Sequence, residues 1–413
     1  MLSKYNFRGI VGFDLKESNI KKFAKNVVDY INVNNLSKKI LLAKDNRESG
    51  DYILSVVGSV FTSYGIEVDL IGEASTPMLV WLTSKFKYSL GVMITASHNL
   101  KEYNGLKVFN CYGESVDVST ISAKKRKLKK YVKMTDCSKM KDVYWRDLKN
   151  RLNTNKIKCV FDCANGAMVE TVRKIFSKHQ IIGDDKTGSC INDGYGTQDL
   201  ANIKSVCKRN KKIGFAFDGD GDRVVAIDEN GDVIDGDKIL YILTAQKLGF
   251  GDRVVGTQIS SMGLEVSLRR LGVTLIREQV GAKYVARRMK KECVVLGGEN
   301  CGHIFLEKRI SDAIAVVIEL LNILNRTEMT FKQLLGGYKE IFRLSQDVLM
   351  QGDEDFKNFE RFDNGVRVVV RKSMTENLIR LLVEGEDKVL VETVMSGIIA
   401  EIEGVAKWNW EMF

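Results

Sequence analysis

Apolar residues along this chain fall in short runs that alternate with segments of helical period. In KKILLAKDNRESGDYILSVVGSVFTSYGIEVDLIG (38–72) an apolar run gives way to a polar turn, a helix-like segment, a glycine and a second β-branched run. KIKCVFDCANGAMVETVRKIFSKHQIIG (156–183) and DRVVGTQISSMGLEVSLRRLGVTLIRE (252–278) repeat that order. Short Val/Ile-rich runs alternating with helical stretches predict β-α-β units and parallel or mixed sheets. In such units the turn after the first strand lies at its carboxyl end, where ligands of α/β sheets bind. The units start roughly 95 to 120 residues apart, which predicts three related α/β domains in tandem, over 1–150, 151–250 and 251–340. Beyond 340 the pattern changes. Residues 356–404 read as two strands, a turn and an amphipathic helix, so 341–413 is expected to form a smaller α+β domain.

Length and composition agree with several domains in a soluble globular chain: 413 residues, 44% hydrophobic and 28% charged. The longest apolar run, AIAVVIELL (313–321), is half of the ~18 residues a membrane span needs. The start, MLSKYNFRGI, has no apolar signal core. Eight cysteines without paired spacing suit reduced thiols in a cytoplasm better than a disulfide framework. The net charge of +10 is partly local, since KKRKLKKYVK (124–133) holds seven basic residues. Without aromatic interleaving or a binding motif, that run reads as a solvated helix face or hinge and not as a nucleic-acid patch. The single proline, Pro77, carries no functional reading.

The densest chemistry lies in IGFAFDGDGDRVVAIDENGDVIDGD (213–237). A short apolar strand delivers Asp218, Asp220 and Asp222 in alternation with two glycines. Carboxylates this close disfavour joint ionisation unless a cation gathers them. Oxygen donors without nearby Cys or His select Mg²⁺ or Ca²⁺ over zinc, and Arg223 adds a guanidinium suited to a phosphoryl oxygen. An EF-hand is excluded because its sixth position, which must be Gly, is Arg223 and because a strand leads in. An aspartyl-phosphate phosphatase, with the first Asp as nucleophile, remains a rival.

Three further loops follow apolar strands. ITASHNLKEYNGLK (94–107) places Ser97 and His98 at a strand end, with Lys107 downstream. A phosphate on Ser97 would bring about −1.5 to −2 charges, which need a counter-ion. A hydrolytic triad is disfavoured, since Ser97 and His98 are adjacent and no GxSxG surrounds them. GGENCGH (297–303) offers Glu299 and His303 for sugar hydroxyls, and His303 for proton transfer. RKSMTENLIR (371–380) combines Arg371, Ser373 and Thr375 on one turn, a phosphate cradle. His179, in RKIFSKHQ, reads as a surface histidine on a helix.

Together these motifs resemble the α-D-phosphohexomutase family, whose TASHN, DGDGDR, GGExSGH and RxSGTEP motifs occur here in the same order along essentially the whole chain. NFRGIVG (6–12) is similar to the family's N-terminal arginine loop and would put Arg8 in the site. GLEVSLRRLGV, VGAKYV and RKSMTENLIRLLVEGE look most like the branch acting on hexosamine phosphates. The resemblance implies three related α/β domains, a fourth of TATA-binding-protein-like shape, and a basic cleft between them. It implies a phosphorylated Ser97 and Mg²⁺ held by Ser97, Asp218, Asp220 and Asp222. Arg8, Lys107 and Arg223 would neutralise the transferring phosphoryl group, and His98 would orient the serine. His303 or Lys107 would move a proton. Glu299, Cys301, Lys283, Arg371, Ser373 and Thr375 would bind substrate.

The implied reaction interconverts hexosamine 6- and 1-phosphates through a hexose 1,6-bisphosphate, which serves as intermediate and activator. Small sugar phosphates are then the expected partners, without nucleic acid or membrane, and the chain a monomer or homodimer. Four positions depart from the family motifs: Leu100 for proline, Cys301 for serine, Met374 for glycine and Asn377 for proline. They leave two other readings open, a mutase for mannose or glucose phosphates and a non-catalytic sugar-phosphate-binding homologue.

Overall fold

The computed structural model describes residues 7–119, 128, 131–153, 156–306, 310–349, 359–363, 365–373 and 378–402. Most of the basic run 124–133, and Thr375 with Met374 and Asn377, lie outside the described residues.

All three β-α-β stretches form as expected. Lys39–Lys44 and Glu67–Glu73 pair in parallel across the helix Gly50–Ser63. Cys159–Asp162 and Gln180–Ile182 pair across Met168–Ile175, and Arg253–Thr257 and Thr274–Glu278 across Met262–Arg270. In each unit a third strand then pairs in parallel with the first: Leu90–Ile94, Ile213–Phe217 and Leu296–Gly298. A fourth returns antiparallel to the third: Tyr103–Asn110, Val224–Ile227 and Ile304–Leu306. The turn joining third to fourth strand is therefore the same topological position three times. Those turns carry Ser97, the aspartate triplet and Glu299 with His303.

This differs from the expectation that ligand chemistry follows the first strand. The first-strand turns lie behind the others and hold them. The short β-branched strands LGVMI, CVFD and VVAI are buried at every residue, as sheets covered on both faces require.

The units are not separate beads. One apolar cluster runs from Leu41 and Met93 of the first sheet through Phe161 and Phe215 of the second to Val254, Leu296 and Ile304 of the third. The apolar run at 313–321 belongs to the helix Ala313–Thr327, whose Leu320, Leu321 and Leu324 enter the same cluster. Asp312 caps that helix through Ala315 N–H and accepts from the Tyr144 hydroxyl at 3.0 Å, tying the helix to the end of the first unit. Pro77 stands in the first turn of the helix Thr76–Lys85, where a missing N–H costs nothing.

The last domain is larger in strands than its sequence suggested. Phe342–Leu349, Leu378–Gly385, Val366–Lys372 and Phe359–Asp363 form a four-stranded antiparallel sheet, and the helix Lys388–Ile402 packs on it. Phe342–Leu349 escaped notice because it exposes several polar residues at a sheet edge and lacks strict alternation. Buried Arg367 fixes this domain to the third unit. It pairs with Glu384 and donates to the carbonyls of Gln258 and Ser260, while Glu384 accepts from Met262 N–H at 3.0 Å.

His179 is a second correction. The helix ends at Ile175, and His179 lies beyond it, half-buried, accepting from Cys159 N–H at Nδ1. Its ring packs edge-on to Phe161 and Phe176, and burial pushes its pKa down to about 4. No helix among the described residues is long and apolar enough to cross a membrane.

Leu320→Ala, at a fully buried position, should cost about 2–5 kcal/mol in urea denaturation. Because the core is shared, the three α/β units should still unfold in one transition.

Candidate active site

Ser97 sits in the left-handed region at φ +54°, almost fully buried. Its N–H is held by Thr95 Oγ1 at 2.8 Å, and its carbonyl by Arg47 Nη2 at 3.0 Å and Asn192 Nδ2 at 2.9 Å. That grip aims Ser97 Oγ at Asp218 Oδ2, 2.6 Å away across 121 residues of sequence. The serine and aspartate loops thus meet, as their chemistry demanded. Gly219 makes the approach possible: a Cβ there would stand 2.7 Å from the Ser97 carbonyl oxygen.

Asp218 Oδ1 accepts from the N–H groups of Asp222 and Arg223. Lys107 Nζ bridges Asp220 at 2.7 Å and Asp222 at 3.0 Å, and Thr76 Oγ1 donates to Asp220 at 2.6 Å. The three carboxylates present oxygens within 4.8 Å of one another, all buried, and Asp220 Oδ1 has no hydrogen-bond partner. Hard oxygen donors, one of them unsatisfied and next to a hydroxyl, fit a small divalent cation. Burial and the neighbouring Asp222 and Asp220 push the Asp218 pKa up to about 8. Burial works the same way on Asp222, but Lys107 and His303 outweigh it and hold that carboxyl well below the usual range.

The loop 297–303 closes on the same centre. Gly302, at φ +97°, lies against the strand Val224–Ile227, where a Cβ would be 2.4 Å from the Val224 carbonyl oxygen. His303 is thereby set between Asp222 Oδ1 and Glu299 Oε2, each 3.0 Å away. Burial lowers the His303 pKa, but Asp222 outweighs it and the imidazolium is favoured. Glu299 also accepts from Gly281 N–H at 2.8 Å.

Arg8 reaches over from the first strand, Phe7–Ile10, and donates to Asn99 Oδ1 at 2.7 Å. Its charge is felt by Asp220, Asp222 and Arg223. Arg223 lies 3.9 Å from Asp218. His98 joins the cluster differently from its expected role. Its buried Nδ1 has no hydrogen-bond partner, so Asp218, Thr95, Arg47 and Asn192 are what orient Ser97. Burial, Arg223 and Arg8 push the His98 pKa down to about 2, leaving a neutral ring among cations.

Lys283 lies farther out, over the Tyr284 ring, beside a cavity of about 310 Å³ that Asp222 and His303 floor and Arg287 and Lys290 flank. Burial and Arg287 push the Lys283 pKa down to about 8. Arg371 lies near the end of the strand Val366–Lys372, and Ser373, just after it, donates its N–H to the Leu378 carbonyl at 2.9 Å. Arg371 stands opposite Arg380 in the strand register, and burial and Arg380 lower its pKa.

Sequence reasoning missed Arg47. The side chain is fully buried, paired with Asp45 at 3.0 Å, and donates to the carbonyls of Ser97, Asn99, Leu100 and Tyr103. The signal was present in DNRESG, a polar turn directly after a first strand.

A fold of three repeated α/β units and a small antiparallel domain, with a buried serine against an acidic triplet, defines a phosphosugar mutase class. Models of phosphoglucomutase/phosphomannomutase α/β/α domain I, α/β/α domain III and the C-terminal domain match residues 2–133, 235–341 and 346–401. The chain belongs to that family. A phosphoglucosamine mutase of Aliivibrio fischeri is 32% identical over 390 residues, covering 86% of this chain and 87% of its own. A phosphoglucomutase/phosphomannomutase family protein from Burkholderia thailandensis superposes with TM-score 0.79 at 19% identity, over 96% of this chain and 95% of its own. Aspergillus fumigatus N-acetylphosphoglucosamine mutase, solved with GlcNAc-6P and magnesium, superposes with TM-score 0.64 at 17% identity, over 90% and 85%.

Two outcomes follow from this geometry. Divalent-cation affinity should rise about tenfold per pH unit below about pH 8 and level off above it, because binding displaces the Asp218 proton. Calorimetric titration in buffers of different ionisation enthalpy reads both affinity and proton release. Arg47→Met should cost roughly 3–5 kcal/mol in denaturant unfolding, since Asp45 is left buried without its counter-charge.

Proposed function

We propose that the protein interconverts glucosamine 6-phosphate and glucosamine 1-phosphate, with phosphorylated Ser97 as donor and a 1,6-bisphosphate as intermediate. The observation that carries this reading is the 2.6 Å contact between Ser97 Oγ and Asp218 inside a buried acidic triplet. A serine hydrolase of the triad kind would instead have an imidazole accept from the hydroxyl, whereas Ser97 Oγ donates to a carboxylate of the triplet. An aspartyl phosphatase would need its first Asp free to attack, yet Asp218 is occupied by Ser97 and two backbone N–H groups.

Asp218, Asp220 and Asp222 would hold Mg²⁺ together with a phosphoserine oxygen. When bound, that ion supplies charge compensation for the transferring phosphoryl group. The protein's own groups do the rest. Lys107, fixed by two carboxylates, and Arg223 and Arg8, close to the triplet, set positive charge around the equatorial oxygens. Neutral His98 fills the space between the arginines without adding charge. Glu299 grips a sugar hydroxyl, and His303 or Lys107, in the minor form that has lost its own proton to solvent, takes up the proton of the attacking hydroxyl.

After the first transfer the sugar bears two phosphates and must present the other to Ser97. A remote anchor serving both orientations is needed, and Arg371, Ser373 and Thr375 of one sequence motif would supply it. Lys283, which lines the cavity beside Asp222 and His303, would bind the substrate there. The amino-sugar choice rests on the Aliivibrio fischeri relative. The charged motif groups gather as the chemistry requires, which favours catalysis over a binding-only homologue.

Purified protein with Mg²⁺ and a trace of hexose 1,6-bisphosphate should convert glucosamine 6-phosphate faster than the mannose or glucose phosphates, by coupled assay or phosphorus NMR. Ser97→Ala should lower kcat by at least about a thousandfold, or roughly 4 kcal/mol of barrier, and remove the single phosphate from the intact mass. Equal turnover of all three sugars would refute the amino-sugar assignment. Undiminished turnover in Ser97→Ala would refute the phosphoserine.

A further inference from the structure

The sugar loop contains a donor set that sugar recognition does not account for. Glu299, Cys301 and His303 alternate along one tight turn, and their ligand atoms lie within 4.8 Å of one another. His303 Nδ1 stands 3.5 Å from Cys301 Sγ and 3.0 Å from Glu299 Oε2. With metal–sulfur and metal–nitrogen bonds of about 2.3 and 2.1 Å, a tetrahedral ion separates sulfur from nitrogen by about 3.6 Å. Nitrogen and carboxylate oxygen then stand about 3.3 Å apart. The loop already holds both edges within a few tenths of an ångström.

The outer partner of the histidine is also in place. His303 Nε2 faces Asp222 Oδ1 at 3.0 Å, the carboxylate–histidine arrangement that fixes a metal-binding imidazole. Nδ1 is thereby turned toward the thiol and the second carboxylate. The backbone is stiff, since Glu299 N–H bonds the His303 carbonyl, Gly302 N–H the Glu299 carbonyl and Val224 N–H the Gly302 carbonyl. Cys301 is partly exposed, which leaves a fourth position open to water.

We propose that Glu299, Cys301 and His303 form a second cation site, selective for zinc-class divalent ions and separate from the all-oxygen triplet. Thiolate and imidazole select a softer ion than three carboxylates do. On binding, the thiol proton and the Nδ1 proton of the His303 imidazolium both leave to solvent, while Nε2–H stays on Asp222. Resting on the proposed function, this site would be inhibitory, because it takes Glu299 and His303 away from the sugar. Zinc would then compete with sugar phosphate and not with Mg²⁺. The serine that the family motif carries here would supply no such soft donor.

The test uses Co²⁺ and Zn²⁺ on intact protein saturated with Mg²⁺. One equivalent of Co²⁺ should give a thiolate-to-cobalt charge-transfer band in the near ultraviolet. Asp220→Asn, which damages the triplet, should keep that band. Cys301→Ser should lose it and weaken Zn²⁺ binding by at least about tenfold, the smaller loss that outer-sphere groups alone cause. In unmutated protein, Zn²⁺ but not Mg²⁺ should shield Cys301 from iodoacetamide, read by peptide mass spectrometry. Absence of the band, its survival in Cys301→Ser, its loss in Asp220→Asn, or equal alkylation with and without Zn²⁺ would overturn the proposal. Absent mutase activity with the band intact would count against the proposed function alone.

Discussion

Four carboxylates, those of Asp218, Asp220, Asp222 and Glu299, are buried together around one serine hydroxyl, and the surrounding structure answers that charge. Lys107 spans Asp220 and Asp222, Arg223 and Arg8 flank the triplet, and His303 is wedged between Asp222 and Glu299. Those four cations match the four carboxylates in number, yet burial and the neighbouring Asp222 and Asp220 still hold the Asp218 pKa up at about 8. On the proposed mechanism a phosphate on Ser97 would add about two negative charges, which a divalent ion in the triplet would cancel. Phosphoryl donor and ion therefore need one another electrostatically. A cleft built this way stays near neutral while the phosphoryl group moves between serine and sugar.

Topology brings that charge together economically. The three α/β units share one strand order, and the turn from third to fourth strand carries the chemistry in each. Triplication supplies three equivalent loops, and a common apolar core points them at one centre. Turns after the first strands brace them, Arg47 being the clearest case. Its guanidinium converts a loop that would otherwise be mobile into one that holds Ser97 at positive φ. Arg367 of the last domain does the equivalent for the third unit, donating to the carbonyls of Gln258 and Ser260 in the turn after its first strand.

Much of this was legible in the chain. Period and β-branching gave the three parallel pairs, and crowding of Asp218, Asp220 and Asp222 gave the cation triplet. What stayed hidden depends on distance in space. Arg47 looks like any charged turn residue until its four carbonyl partners fold around it. His98, placed next to Ser97 by sequence, is buried with an unpartnered Nδ1 and lies within the electrostatic reach of Arg223 and Arg8. The edge strand Phe342–Leu349 alternates too weakly to announce itself. Cys301 read as a substituted serine, and only its 3.5 Å approach to His303 gives the sulfur chemical meaning.

The most direct test is a crystal structure of the phosphorylated protein with Mn²⁺, located by anomalous scattering. The account places the ion between the carboxylates of Asp218, Asp220 and Asp222, bonded to an oxygen of the phosphate on Ser97. An ion located elsewhere, or a phosphate that lies outside its coordination sphere, would contradict it.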